Sequence, residues 1–141
     1  MVVHAAKAIR QHHPKMCLTL DIQDAPGDPV PPFINGHRPD IRGWSIGACF
    51  CALIAEAKTD GDIDNNHTRS QVDAYLRYLD TIKSGIGIFI LAVNGEAADT
   101  ARGLLKFHCR AQVSSCLQVE VFDGLDFWAL GPLGGELWRL S

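Results

Sequence analysis

Glu56 and Lys58 stand two positions apart at the end of the apolar run from Cys51 to Ala57. Side chains two apart on a strand share a face, so a strand here projects acid and base together while Leu53, Ala55 and Ala57 face the other way. Asp40 lies as far before a hairpin turn near Ala48 as Glu56 lies after it. That register places the two carboxylates opposite one another on neighbouring strands. Facing carboxylates repel unless something positive lies between them, and such a pair of hard oxygen ligands suits Mg²⁺ or Mn²⁺. A metal held there can polarise a phosphoryl oxygen and lower the pKa of a bound water. Lys58 is placed to orient that water or to neutralise charge on a pentavalent transition state. The plain alternative is a surface cluster in which Lys58 simply pairs with Glu56.

Other polar groups fall around this stretch. Arg38, Arg42, Arg69 and Arg77 could hold phosphates flanking a scissile bond, or serve as ordinary surface charge. Thr68 and Gln71 form a T-x-x-Q capping box before an apolar stripe, which would explain both without chemistry. Tyr75 falls on that stripe and reads as core, whereas Tyr78 could stack on a base. Asp60-Gly-Asp-Ile-Asp-Asn65 mimics part of a calcium loop, but Asn65 replaces the glycine and Gln71 the bidentate glutamate. His4, His12 and His13 could suggest a metal site, yet His12 and His13 are adjacent on a helix and so point apart, which predicts a solvent-exposed helix end. Ser114-Ser115-Cys116 lacks the context of a nucleophile elbow, and Gly131 to Gly135 lacks the Lys-Ser/Thr of a phosphate loop and reads as a turn.

The segment His37-Arg-Pro-Asp-Ile-Arg-Gly43, then Ile54-Ala-Glu-Ala-Lys-Thr59, then a helix bearing Gln71, resembles the PD-(D/E)XK nuclease superfamily. The likeness runs from about Arg38 to Leu79. It implies a restriction-endonuclease-like fold and a Mg²⁺- or Mn²⁺-dependent nuclease acting on DNA, or on RNA, in which metal-activated water hydrolyses the backbone. It also implies roles: Asp40, Glu56 and the carbonyl of Ala57 as metal ligands, Lys58 beside the attacking water, and Gln71 in support. Many members of the superfamily add a glutamate from the first helix, whereas residues 2 to 13 contain no acid. That departure points to a single ion, or to a fold that has lost cleavage and serves as a nucleic-acid- or protein-binding module. A calcium-binding or purely structural α/β protein is the third reading.

Those residues need a scaffold. Val2, Ala5, Ala6 and Ile9 recur at helical spacing up to Pro14, and Leu18, Leu20 and Ile22 alternate as in a half-buried strand. Between Gln23 and Gly36 the prolines and glycines predict a loop. A strand pair joined near Gly47 follows, then a helix from about Thr68 to Lys83 with Val72, Tyr75, Leu76, Leu79 and Ile82 on one face. Ile86 to Val93 is a continuous apolar run of the kind covered on both faces. A helix over about Ala97 to Arg110, a strand over Leu117 to Phe122 and one or two edge strands within Phe127 to Leu140 complete the order. The pattern predicts one α/β domain over residues 1–141, with a mixed central sheet flanked by helices.

Composition agrees with a globular domain, being 47% hydrophobic and 21% charged. No stretch is long and apolar enough for a membrane span, and five cysteines without zinc-site spacing suit thiols in a reducing cytoplasm. A net charge of −3 supplies no broad basic field for nucleic acid, so the cations would have to gather on one face. The chain has no room for a separate target-recognition domain, which leaves loops, a partner or a homodimer to supply specificity.

Overall fold

The computed structural model describes residues 1–22, 27, 29–47, 50–82, 84–109, 116–130 and 137–139. Among them the chain forms α1 (Val2–His12), β1 (Cys17–Leu20), β2 (Ile41–Ile46), β3 (Phe50–Ala57), α2 (Asn66–Asp80), β4 (Gly85–Ala92), α3 (Ala98–Cys109), β5 (Leu117–Phe122), β6 (Phe127–Leu130) and β7 (Leu137–Arg139). The strands make one seven-stranded sheet in sequence order. β1, β2 and β3 run as an antiparallel meander, β3, β4 and β5 are parallel, and β6 and β7 return antiparallel. The expected turn at Gly131 to Gly135, Ser114 and Ser115, and the far end of the third helix at Arg110 lie outside the described residues.

The parallel strands are joined by helices because a parallel pair cannot be closed by a tight turn. α2 and α3 cover one face of the sheet, burying Val72, Tyr75, Leu76, Leu79, Ala101 and Leu105 against Ile54, Phe89, Leu91 and Val121. α1 covers the other, with Ala5, Ala6 and Ile9 against Ile41, Leu53, Ala55, Ile88 and Ile90. β4 is therefore buried on both faces from Gly87 onward, which explains its unbroken apolar sequence. β3 is buried on both faces as well, from Ala52 to Glu56. Leu53 and Ala55 enter the α1 layer, whereas Ile54 and Glu56 turn toward α2.

Two local features depart from the sequence reading. α2 begins two residues early, because Asn65 is its N-cap and accepts the Thr68 amide at 2.8 Å. Thr68 thus lies inside the first turn, its hydroxyl donating to the Asp62 carbonyl, and no Thr68–Gln71 capping box forms. Gln71 is released for other contacts. The second concerns α1. His13 has left helical geometry, with φ −124° and ψ 72°, so the angular separation of adjacent helical residues no longer applies. Both imidazoles turn toward Glu120 on β5, instead of pointing apart into solvent.

The loop ahead of β2 is anchored by a turn with positive φ at Asn35 (49°) and Gly36 (87°), flanked by the Ile34–His37 bridge. Asn-Gly is the pair that adopts this backbone at least cost. Ile34 is buried, and the Asn35 amide donates to the Ala74 carbonyl of α2 at 3.1 Å. The turn thereby delivers His37-Arg38-Pro39-Asp40 to the start of β2, beside the C-terminal end of β3.

Candidate functional site

The β2–β3 register pairs Ile41 with Ala55, so Asp40, one residue before β2, stands opposite Glu56. The two are bound reciprocally. The Asp40 amide donates to Glu56 Oε2 at 3.2 Å, and the Ala57 amide donates to Asp40 Oδ2 at 2.8 Å. Lys58 continues the β3–β4 ladder, its amide donating to the Ala92 carbonyl at 2.9 Å. Its side chain returns to the same face as Glu56, with Nζ 3.3 Å from Glu56 Oε1. Gln71 closes the arrangement from α2: its carbonyl oxygen accepts from Lys58 Nζ at 2.6 Å and its amide nitrogen donates to Glu56 Oε1 at 2.9 Å. Asp40, Glu56, Ala57, Lys58 and Gln71 are thus assembled in one place.

This is not a surface pair. Glu56 is 3% exposed and Gln71 6% exposed, so their polar atoms depend on one another instead of on water. Burial raises the Glu56 carboxyl pKa to about 7; the Asp40 carboxylate adds to the rise and Lys58 opposes it. Burial also raises Asp40, partly offset by the Ala57 amide and Lys58. Two desolvated carboxyl groups, with the Asp40 charge opposing ionisation of Glu56, offer hard oxygen donors that fit a divalent cation of the Mg²⁺ or Mn²⁺ class.

Two further residues join the site. Asp21 follows β1 opposite Asp40, its amide donating to the Asp40 carbonyl at 2.8 Å, and its carboxylate adds to the charge that raises Asp40. The signal for it was in the sequence: Leu18 and Leu20 alternate with Thr19 and Asp21, and an antiparallel β1–β2 pair puts Asp21 on the Asp40 face. Tyr75 is fully buried, as its place on the apolar stripe predicts, yet its hydroxyl has no hydrogen-bond partner. Burial, then Glu56 and Asp40, oppose its ionisation, so it remains a neutral O–H donor next to the carboxylates. Gln71 approaches this hydroxyl and favours ionisation, but without the geometry of a hydrogen bond.

The arginines are divided. Arg38 lies 3.8 Å from Asp21 Oδ1 and stacks over the Phe33 ring at 4.5 Å. Arg42 donates to the Tyr78 hydroxyl at 2.7 Å and lies over that ring, on the Glu56 face of the sheet. Arg69 is not brought to the carboxylates. It pairs with Asp64 and borders a pocket of about 410 Å³ between α2 and α3 that contains none of the site residues. Arg77 pairs with Asp73 one turn away on α2. In the Asp60–Asn65 segment, Asp62 accepts from the Thr59 hydroxyl, Asp64 pairs with Arg69 and Gln71 turns to Glu56. Asp62, Asp64 and Gln71 of the calcium-like pattern thus have other partners.

No known protein-family model, curated protein or solved structure matches this chain. None of the described helices is long and apolar enough to cross a membrane.

Proposed function

We propose that the protein is a metal-dependent phosphodiesterase of the PD-(D/E)XK type, with a restriction-endonuclease-like core, hydrolysing a nucleic-acid backbone. The observation that carries this reading is the reciprocal lock of Asp40 and Glu56 across β2 and β3, with Lys58 and Gln71 bonded into it. Acid and base held together at the C-terminal end of parallel strands occupy the position where open α/β sheets place their ligand sites. The order α1, β1–β3, α2, β4 is compatible with the superfamily resemblance.

Asp40 and Glu56, with the Ala57 carbonyl by resemblance, are the groups that would hold Mg²⁺ or Mn²⁺. Such an ion, when bound, neutralises the acidic pair and activates water for attack on phosphorus. The chain's own residues do the rest. Gln71 aims the Lys58 ammonium, which pairs with Glu56 and carries the positive charge needed against a developing phosphorane. Asp21 supplies the additional carboxylate that α1 lacks. Arg38 and Arg42 are the cations available for flanking phosphates, and Trp44, 41% exposed and two residues along β2 from Arg42, offers a base-stacking surface on the same face.

The test is cleavage of single-stranded, duplex and branched DNA, and of RNA, with Mg²⁺ or Mn²⁺, set beside Lys58→Ala and Asp40→Asn. Wild type is expected to cut at least one substrate, and each variant to lose at least about 100-fold in rate. Absence of cleavage by wild type on every substrate, or equal cleavage by the variants, rejects the proposal.

A further inference from the structure

On the opposite face of the sheet from Glu56, the end of α1 meets β5 at a second polar cluster. Glu120 is fully buried, and its carboxylate faces two imidazoles. Oε1 lies 3.8 Å from His12 Nε2, and Oε2 lies 3.6 Å from His13 Nε2. Neither separation is a hydrogen bond, and both Glu120 Oε1 and His13 Nε2 are buried without a hydrogen-bond partner. A buried carboxylate oxygen or imidazole nitrogen normally has a hydrogen-bond partner. Instead, the three donor atoms converge with a gap between them, all within 4.8 Å of one another.

We infer that His12, His13 and Glu120 form a zinc-class transition-metal site. Two imidazoles and a carboxylate are a set that Zn²⁺ accepts in tetrahedral sites, with metal–ligand distances of about 2.0–2.2 Å and ligand atoms therefore about 3.3 Å apart. The nearest contacts, one to each Glu120 oxygen, exceed that spacing by a few tenths of an ångström, and the widest donor separation, up to 4.8 Å, exceeds it by about 1.5 Å, a distance that rotation of the partly exposed imidazoles would close. The ligands are also oriented from behind. His12 stacks on Phe127 at 4.3 Å with rings 5° from parallel, and meets His13 edge-on at 4.6 Å. Gln118 Nε2 donates to Glu120 Oε2, the kind of outer contact that aims a ligating carboxylate.

With three protein ligands, the fourth position belongs to water or a small anion. It has somewhere to open: His12 and His13 border a pocket of about 290 Å³ that also includes Lys15, Ser45 and Cys51. The ion would tie the C-terminus of α1 to β5 and leave an exchangeable coordination position facing that pocket. This site shares no residue with the Asp40–Glu56 cluster and does not depend on the proposed nuclease reading.

The experiment uses the full chain without an affinity tag, stripped by chelator and titrated with Zn²⁺ in competition with a chromophoric zinc chelator; Co²⁺ is the spectroscopic probe. One zinc per chain and the visible d–d absorption of four-coordinate Co²⁺ are expected. His13→Ala and Glu120→Gln should each weaken zinc by at least tenfold, and Asp40→Asn should leave it unchanged. His12→Ala, at a less buried position, serves if Glu120→Gln does not fold, with circular dichroism as the folding check. The inference is overturned if wild type binds zinc no better than the His12→Ala or His13→Ala variants. It is equally overturned if Asp40→Asn, and not these, removes the ion.

Discussion

Replacing Glu56 by glutamine should make the metal-free protein more stable at pH 8 and not at pH 5. The folded protein holds the Glu56 proton up to a pKa of about 7, against an ordinary value of 4.5. Because the folded pKa is raised, the native state binds the proton more tightly than the unfolded chain between those values. Stability therefore falls as pH rises through that window and levels off above about 7. A displacement of this size corresponds to roughly 3 kcal/mol of ionisation penalty at pH 8. The Glu56→Gln variant would escape it while retaining an oxygen for Lys58 and Gln71. Its new NH₂ would, however, face the Asp40 amide where Oε2 accepts now, a mismatch that costs about 1–2 kcal/mol. The net gain is about 1–2 kcal/mol at pH 8, a rise in Tm of roughly 3–6 °C. At pH 5 the folded carboxyl is protonated and less than about 1 kcal/mol of the penalty has accrued, so the mismatch outweighs it and the variant should be slightly less stable. The assay is thermal unfolding of both proteins in chelator from pH 5 to pH 8. Taking the difference cancels the titrations that they share. A difference in Tm that does not change with pH, or that favours the wild type increasingly toward pH 8, refutes the reasoning. Mn²⁺ at pH 8 should stabilise the wild type more than the variant, because the ion offsets the same penalty.

Gln71→Leu removes the side chain that bonds both Lys58 and Glu56, leaving buried charge without a partner, and should cost about 1–3 kcal/mol in urea unfolding at pH 7. An unchanged midpoint would mean that water replaces the amide. Asn65→Ala removes the cap of α2 and should lower stability by about 1 kcal/mol without altering the fold, as judged by circular dichroism. Gly85→Ala would drive a Cβ into the Phe50 carbonyl oxygen, where β3 and β4 begin to pair, and should destabilise by about 1–3 kcal/mol in the same assay.

The elements and the carboxylate pair were largely legible in the sequence, because each rests on local periodicity. Alternation at Leu18–Leu20, the unbroken apolar run after Gly85 and the helical stripe from Val72 to Ile82 each need only near neighbours to be read. So does the placement of Asp40 opposite Glu56, once a turn near Ala48 is assumed, since a hairpin makes register a matter of counting. What lay beyond counting was every contact between elements distant along the chain. Gln71 satisfied two local readings equally well until Asn65 took the cap and α2 packed over β3. Tyr75 was legible as core, but not as a hydroxyl left beside two acids. The His12–His13–Glu120 cluster joins the two ends of the chain, and it exists because His13 breaks from the helix and β5 lies beneath its end. Sequence by itself determined the α/β order and the acid–lysine spacing, through backbone periodicity. Tertiary structure decided which polar groups are buried together, because burial is a property of the packed layers and raises the pKa of an acid pair that spacing alone would leave ordinary.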